Sequence, residues 1–63
     1  MKFTFSELHN CAKREVAMRK RVYPKKVREH GWPENEAHVE ISMMEAIADH
    51  LAIMRDQKEG LGL

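Results

Sequence analysis

The stretch RVYPKKVREHGWP, residues 21–33, decides how this chain folds. It holds both prolines, and it lies between two long segments rich in Ala, Met, Glu, Lys and Arg. These are good helix formers, so the segments on either side predict an all-α protein. Pro24 has no N–H to offer the Lys20 carbonyl, and it disfavours α geometry at Tyr23, so the first helix is expected to run to about Val22 and to stop or kink there. Pro24 then suits the first position of a short helical elbow closed by Gly31, and Pro33 the start of a second long helix. The expected elements are helices over about 5–22, 24–30 and 34–58, with a loose tail over 60–63.

The outer ends carry their own signals. Thr4 stands three residues before Glu7, the spacing of a capping box, with Phe3 and Leu8 placed for a hydrophobic staple and Ser6 as a rival cap. Glu34 and Glu36 fall where the macrodipole of the second helix favours acids, Arg55 and Lys58 where it favours bases, and Gly60 suits the residue past its end.

Sixty-three residues make one domain, and a chain this short buries a small share of its surface. Cys11 is the sole cysteine, which excludes an intramolecular disulfide and leaves a metal or a second chain as the usual supports. No apolar run has the form of an export signal or the length of a membrane span, so a cytoplasmic location is expected.

Charge is divided sharply along the chain. Residues 1–28 hold nine Lys and Arg against two acids, a balance of +7; residues 29–63 hold two against eight, a balance of −6. Such a division marks either a nucleic-acid arm beside an acidic tail or two segments that pair with each other.

Helical periodicity favours the pairing. The first helix carries one apolar stripe of Phe5, Leu8, Cys11, Ala12, Val16, Met18, Val22 and Tyr23, with Glu15 and Arg19 inside it. The second carries Ala37, Ile41, Met43, Met44, Ile47, Ala48, Leu51 and Met54, with Glu40 near the middle. An antiparallel helical hairpin reversing near 29–31 opposes positions whose numbers sum to about 60, which brings Ala12 to Ala48, Val16 to Met44 and Arg19 to Glu40. A buried Glu15–Arg19–Glu40 ion network is therefore expected, since an unpaired buried charge is strongly unfavourable and a guanidinium can grip a carboxylate through two bonds. The second helix is apolar on its back as well, at Val39, Ala46 and Ile53 with His50 beside them. A helix apolar on two sides needs two neighbours, and these residues predict a homodimer face closing a four-helix bundle.

Catalytic and metal chemistry find little support. There is no CxxC, no HExxH and no glycine-rich phosphate loop, and the four histidines show no i, i+4 pairing. His9 and His50 can face each other across the hairpin without making a site. No enzyme activity, metal or cofactor is expected. Interaction surfaces are better represented: Lys20, Arg21, Lys25, Lys26, Arg28 and Trp32 form a candidate partner surface at the elbow, extended by Lys13 and Arg14. Trp32 serves either as a cap over the end of the bundle or as an exposed anchor. Phosphates need only such a density of bases, but the acidic second helix would repel them, so a protein partner leads and nucleic acid follows.

The runs EVAMRKRVYPKKV and EISMMEAIADHL together resemble a group of short, uncharacterised helical proteins encoded in phages and prophages. The likeness covers residues 7–53. The connection EHGWPENEAHV departs from the polar, Thr-containing one of that group. What the resemblance implies is a setting, a small accessory protein of a mobile element that acts on a host or phage protein; it carries over no catalytic or binding residue.

Overall fold

The computed structural model describes residues 2–60. Helix α1 runs Phe5–His30, helix α2 runs Glu34–Arg55, and a π-helical turn, Asp56–Gly60, follows it. No strand occurs among the described residues. The two helices lie side by side as a hairpin.

The start of α1 forms as its spacing predicts. The Glu7 amide donates to Thr4 Oγ1 at 3.1 Å and the Thr4 amide to Glu7 Oε1 at 3.0 Å, a complete capping box. These bonds hold the Glu7 carboxyl below its ordinary pKa. Thr4, and not Ser6, is the cap.

The break expected at Pro24 is absent, and α1 is a single helix of 26 residues. A proline inside a helix ordinarily costs about 3 kcal/mol, so other contacts must hold the two halves in line. Pro24 is exposed at the rim of a groove that it lines with Ala37, His38 and Ile41 of α2, and it leaves the Lys20 carbonyl without its usual donor. On the inner side α1 is tied to α2 ahead of the proline, through Arg19, and to Trp32 of the turn on either side of it, through Tyr23 and Lys26. The separate elbow helix therefore does not exist; residues 24–30 are the last turns of α1.

The reversal takes three residues. Gly31 adopts left-handed geometry at φ 67°, which a side chain disfavours, and the amides of Gly31 and Trp32 both turn back to the Lys26 carbonyl. Pro33 is extended and leads into α2, whose first turn carries Glu34 and Glu36 as expected and no side-chain cap.

The far end of α2 also differs from its expected course. The α-helical pattern stops at Arg55 instead of continuing to Lys58, and the Asp56 amide is shared between the Ala52 and Ile53 carbonyls. In this register the residues after Arg55 pass the beginning of α1, so no opposing helix holds them to a four-residue repeat. Gly60 closes the π-helical turn. The rest of the expected loose tail, 61–63, lies outside the described residues.

Packing between the helices is thin. Ala12, Ala37 and Ala48 are the buried apolar residues, and no large side chain is fully buried among the described residues. Small residues at the crossing allow close approach, while Leu8, Val16, Ile41, Met44 and Leu51 stay half-buried. Met43 and Ile47, placed in the core stripe by periodicity, are exposed. The molecule is a rod of 50 × 17 × 16 Å with a radius of gyration of 14.5 Å. A compact domain of this length would have a radius near ~11 Å. A rod two helices thick has no interior in which to close off a large side chain.

Candidate interaction surfaces

Arg19 is the side chain that crosses from α1 to α2 nearest the turn. Its Nε donates to Glu15 Oε1 at 3.0 Å, one helical turn back, and its Nη1 donates to the backbone carbonyl of Glu40 at 2.8 Å. The Glu40 carboxylate is a looser partner, with Oε2 at 3.6 Å from Nη1. The three residues meet, but not as a buried network: the side chains of Arg19, Glu15 and Glu40 are 20%, 38% and 45% exposed. They lie at the rim because a two-helix crossing has no third wall. The bond to Glu15 holds the Arg19 guanidinium above its ordinary pKa, against the opposing effect of desolvation. The contact of Arg19 with α2 is thus chiefly guanidinium to peptide carbonyl, which residue types alone do not reveal.

Below Arg19 the turn is closed by rings and cations. Tyr23 and Trp32 meet edge to face with centroids 4.9 Å apart. Lys26 Nζ lies 5.7 Å from the Tyr23 centroid and 5.3 Å from that of Trp32, and the Arg19 guanidinium lies 5.6 Å from Tyr23 on another side. Trp32 is half-buried here, so it caps the end of the hairpin while one part of it still lines an open groove with Asn35, Glu36 and Val39. Lys26 is occupied by the rings, and Lys20 bridges to Glu45 of α2 at 3.0 Å.

The remaining bases of the candidate surface are Arg21, Lys25 and Arg28. They are exposed, and among the described residues they have no ion pair, as is true of Arg14. Because α1 continues through Pro24, Arg14, Arg21 and Lys25 fall on the side of it away from α2, while Arg28 reaches the rim of a groove that it lines with Glu34, Ala37, His38 and Ile41 of α2. Arg14, Arg21 and Arg28 repeat every seven residues, a row with a pitch of about 10 Å.

At the open end the contacts are fewer. Arg55 Nη1 lies 3.0 Å from His9 Nδ1, and its Nε and Nη2 are held by Asp56 Oδ1. His9 thus meets Arg55 and not His50, which is exposed. Among the described residues no three His, Cys, Asp or Glu come together as a metal site would require, and no helix is long and apolar enough to cross a membrane.

The back of α2 is the second surface. Val39, Ala46, His50 and Ile53 are exposed, together with Met43 and Ile47; the four large apolar side chains among these are 48–54% open to solvent. Beside them runs an apolar groove between the helices, lined by Leu8, Cys11, Ala12, Glu15, Met44, Ile47 and Leu51. An apolar strip along one helix of a rod with no closed core is the pattern of an unfinished bundle. No family model matches this chain, and neither a curated protein nor a solved structure is significantly similar to it.

Proposed function

We propose that this protein is a small, non-enzymatic protein-interaction module that self-associates, two hairpins joining through α2 into a four-helix bundle. The observation that carries this reading is the exposed strip of Val39, Met43, Ala46, Ile47 and Ile53 on a hairpin with no fully buried large side chain among the described residues. Apolar surface of this kind is removed from water by a second chain. The free basic side of α1 is then left for a further partner, for which the resemblance to phage and prophage accessory proteins suggests a host or phage protein with an acidic face. Inhibition of that protein is one use of such a module, exercised where the hairpin is made, in the cytoplasm.

Light scattering across micromolar concentrations tests the first step. A dimer is expected, and Ile53→Glu should raise its dissociation constant about tenfold or more, because a carboxylate would be desolvated in the joint. A wild-type chain that stays monomeric at these concentrations removes the reading.

A second reading, an accessory protein that binds nucleic acid, is favoured by one observation: Arg14, Arg21 and Lys25 share the outer face of an unbroken helix that ends at Arg28 and His30, and among the described residues these three bases have no ion pair. Binding to duplex and single-stranded nucleic acid, followed as salt is raised, tests it. Phosphate contacts weaken steeply with salt, and an absence of binding at low ionic strength excludes them.

A further inference from the structure

The exposed residues of α2 form more than a patch. Val39, Met43, Ala46, His50 and Ile53 follow one another at steps of four, three, four and three, the spacing of a helix–helix seam. At about 100° per residue the centre of this seam lies roughly 160° around α2 from the stripe of Ala37, Ile41, Met44 and Ala48 that faces α1. It is therefore a separate contact face and not an overflow of the hairpin's own packing.

The seam also matches itself when reversed. Val39 and Ile53 stand seven residues either side of Ala46, and Met43 and His50 three and four residues from it. Turned end for end, it sets a large apolar residue against a large apolar residue at both ends and the smallest side chain at the centre. Interaxial distance depends on side-chain size at the contact, so Ala46 permits the closest approach there.

Charge favours the same orientation, chiefly through Asp49. In a parallel pair Glu36 and Asp49 would each lie near their own copies, whereas reversed Asp49 lies near Ser42. The first turn with Glu34 and Glu36 then lies against the partner end that carries Asp56 and Lys58, Arg55 being turned to His9 and Asp56 of its own chain. The macrodipoles also oppose in that arrangement.

We infer that α2 pairs antiparallel with α2 of a second copy along Val39, Met43, Ala46, His50 and Ile53, the two-fold axis passing close to Ala46. This rests on the self-association through α2 proposed above and replaces its four-helix bundle by a different arrangement of the same helices. Because the seam is nearly opposite α1, the four helices are ordered α1, α2, partner α2, partner α1 in an open row instead of a closed square. Both basic rows then lie at the outer edges, facing away from each other.

Disulfide trapping tests the geometry, and light scattering on the same samples tests association separately. In a Cys11→Ala background, single Ala46→Cys, Val39→Cys and Ile53→Cys variants are oxidised with diamide. Ala46→Cys should cross-link to itself. Val39→Cys and Ile53→Cys should each stay uncross-linked alone, since their copies would be about 21 Å apart along the row, and should form a mixed disulfide when combined. Self-linking of Val39→Cys and Ile53→Cys would show a parallel pair and overturn the inference. A dimer by scattering that traps at none of these positions would also overturn it, moving the joint to the groove beside Cys11 and Ile47. A monomer by scattering would defeat self-association itself.

Discussion

The two ends of the hairpin are built from the same pair of helices and held in different ways. At the turn, α1 and α2 are joined within a few residues by a left-handed glycine, a ring pair, two cations over those rings and a guanidinium bonded to a backbone carbonyl. At the open end, among the described residues, Arg55 meets His9 and Asp56, and α2 passes into a π-helical turn. Stability in such a rod is graded, strongest where side chains cross and weakest where each helix relies on its own caps.

The largest test of this gradient is Tyr23→Ala. It removes the ring that contacts Trp32, Lys26 and Arg19 together, and chemical denaturation should register a loss of about 2–3 kcal/mol. A loss under about 1 kcal/mol would mean that the turn is held by its backbone alone. Arg19→Ala should follow at about 1–2 kcal/mol, while Glu40→Ala should cost under about 0.5 kcal/mol because its carbonyl remains to accept the bond. A Glu40→Ala effect as large as that of Arg19→Ala would show that the carboxylate, and not the peptide, is the partner. At the open end Arg55→Ala should cost about 0.5 kcal/mol or less; an effect equal to that of Arg19→Ala would abolish the contrast.

The smallest effect is a titration. The capping box lowers the Glu7 pKa from its ordinary 4.5, chiefly through the Thr4 amide. A depressed carboxylate contributes stability that is present above the unfolded value and is lost as pH falls through the folded one. Carboxyl NMR should find Glu7 titrating below 4.5, with Thr4→Val moving it upward; a Glu7 that titrates at 4.5 in the wild-type chain would mean the box is open in solution.

What could be read from residue order divides along similar lines. Thr4 with Glu7, Gly31, and Glu34 with Glu36 act through neighbours a few positions away, so spacing was sufficient to place the cap, the turn and the start of α2. Register was legible too, since Arg19 meets Glu40, as an antiparallel count summing to about 60 requires. Pro24 was not legible in this sense: local rules predict a break, and only contacts with residues far along the chain keep α1 whole. The acceptor for Arg19 was half legible. Glu40 was located correctly, but a carboxylate at its side chain attracts the eye and its carbonyl does not. The pairing of His9 with Arg55 was missed because His50 lies at a comparable height, and side-chain direction decides between them. The basic row of Arg14, Arg21 and Arg28 came into view only with the unbroken helix, since a break at Pro24 would have turned Arg28 away from the other two.

The three-residue reversal at Gly31, Trp32 and Pro33 acts as the zero point of a ruler. Every opposition along the hairpin is counted outward from it, so the protein's tolerance of insertions is set by distance and direction from that point. One residue added between Arg19 and Gly31 would turn the remainder of α1 by about 100° and shift it by about 1.5 Å. That would part Arg19 from Glu40 and His9 from Arg55 in a single step. The same residue added after Arg55 would alter no opposition at all. Length variation in this chain should therefore accumulate beyond Arg55 and ahead of Thr4, and be excluded from the turns on either side of Gly31.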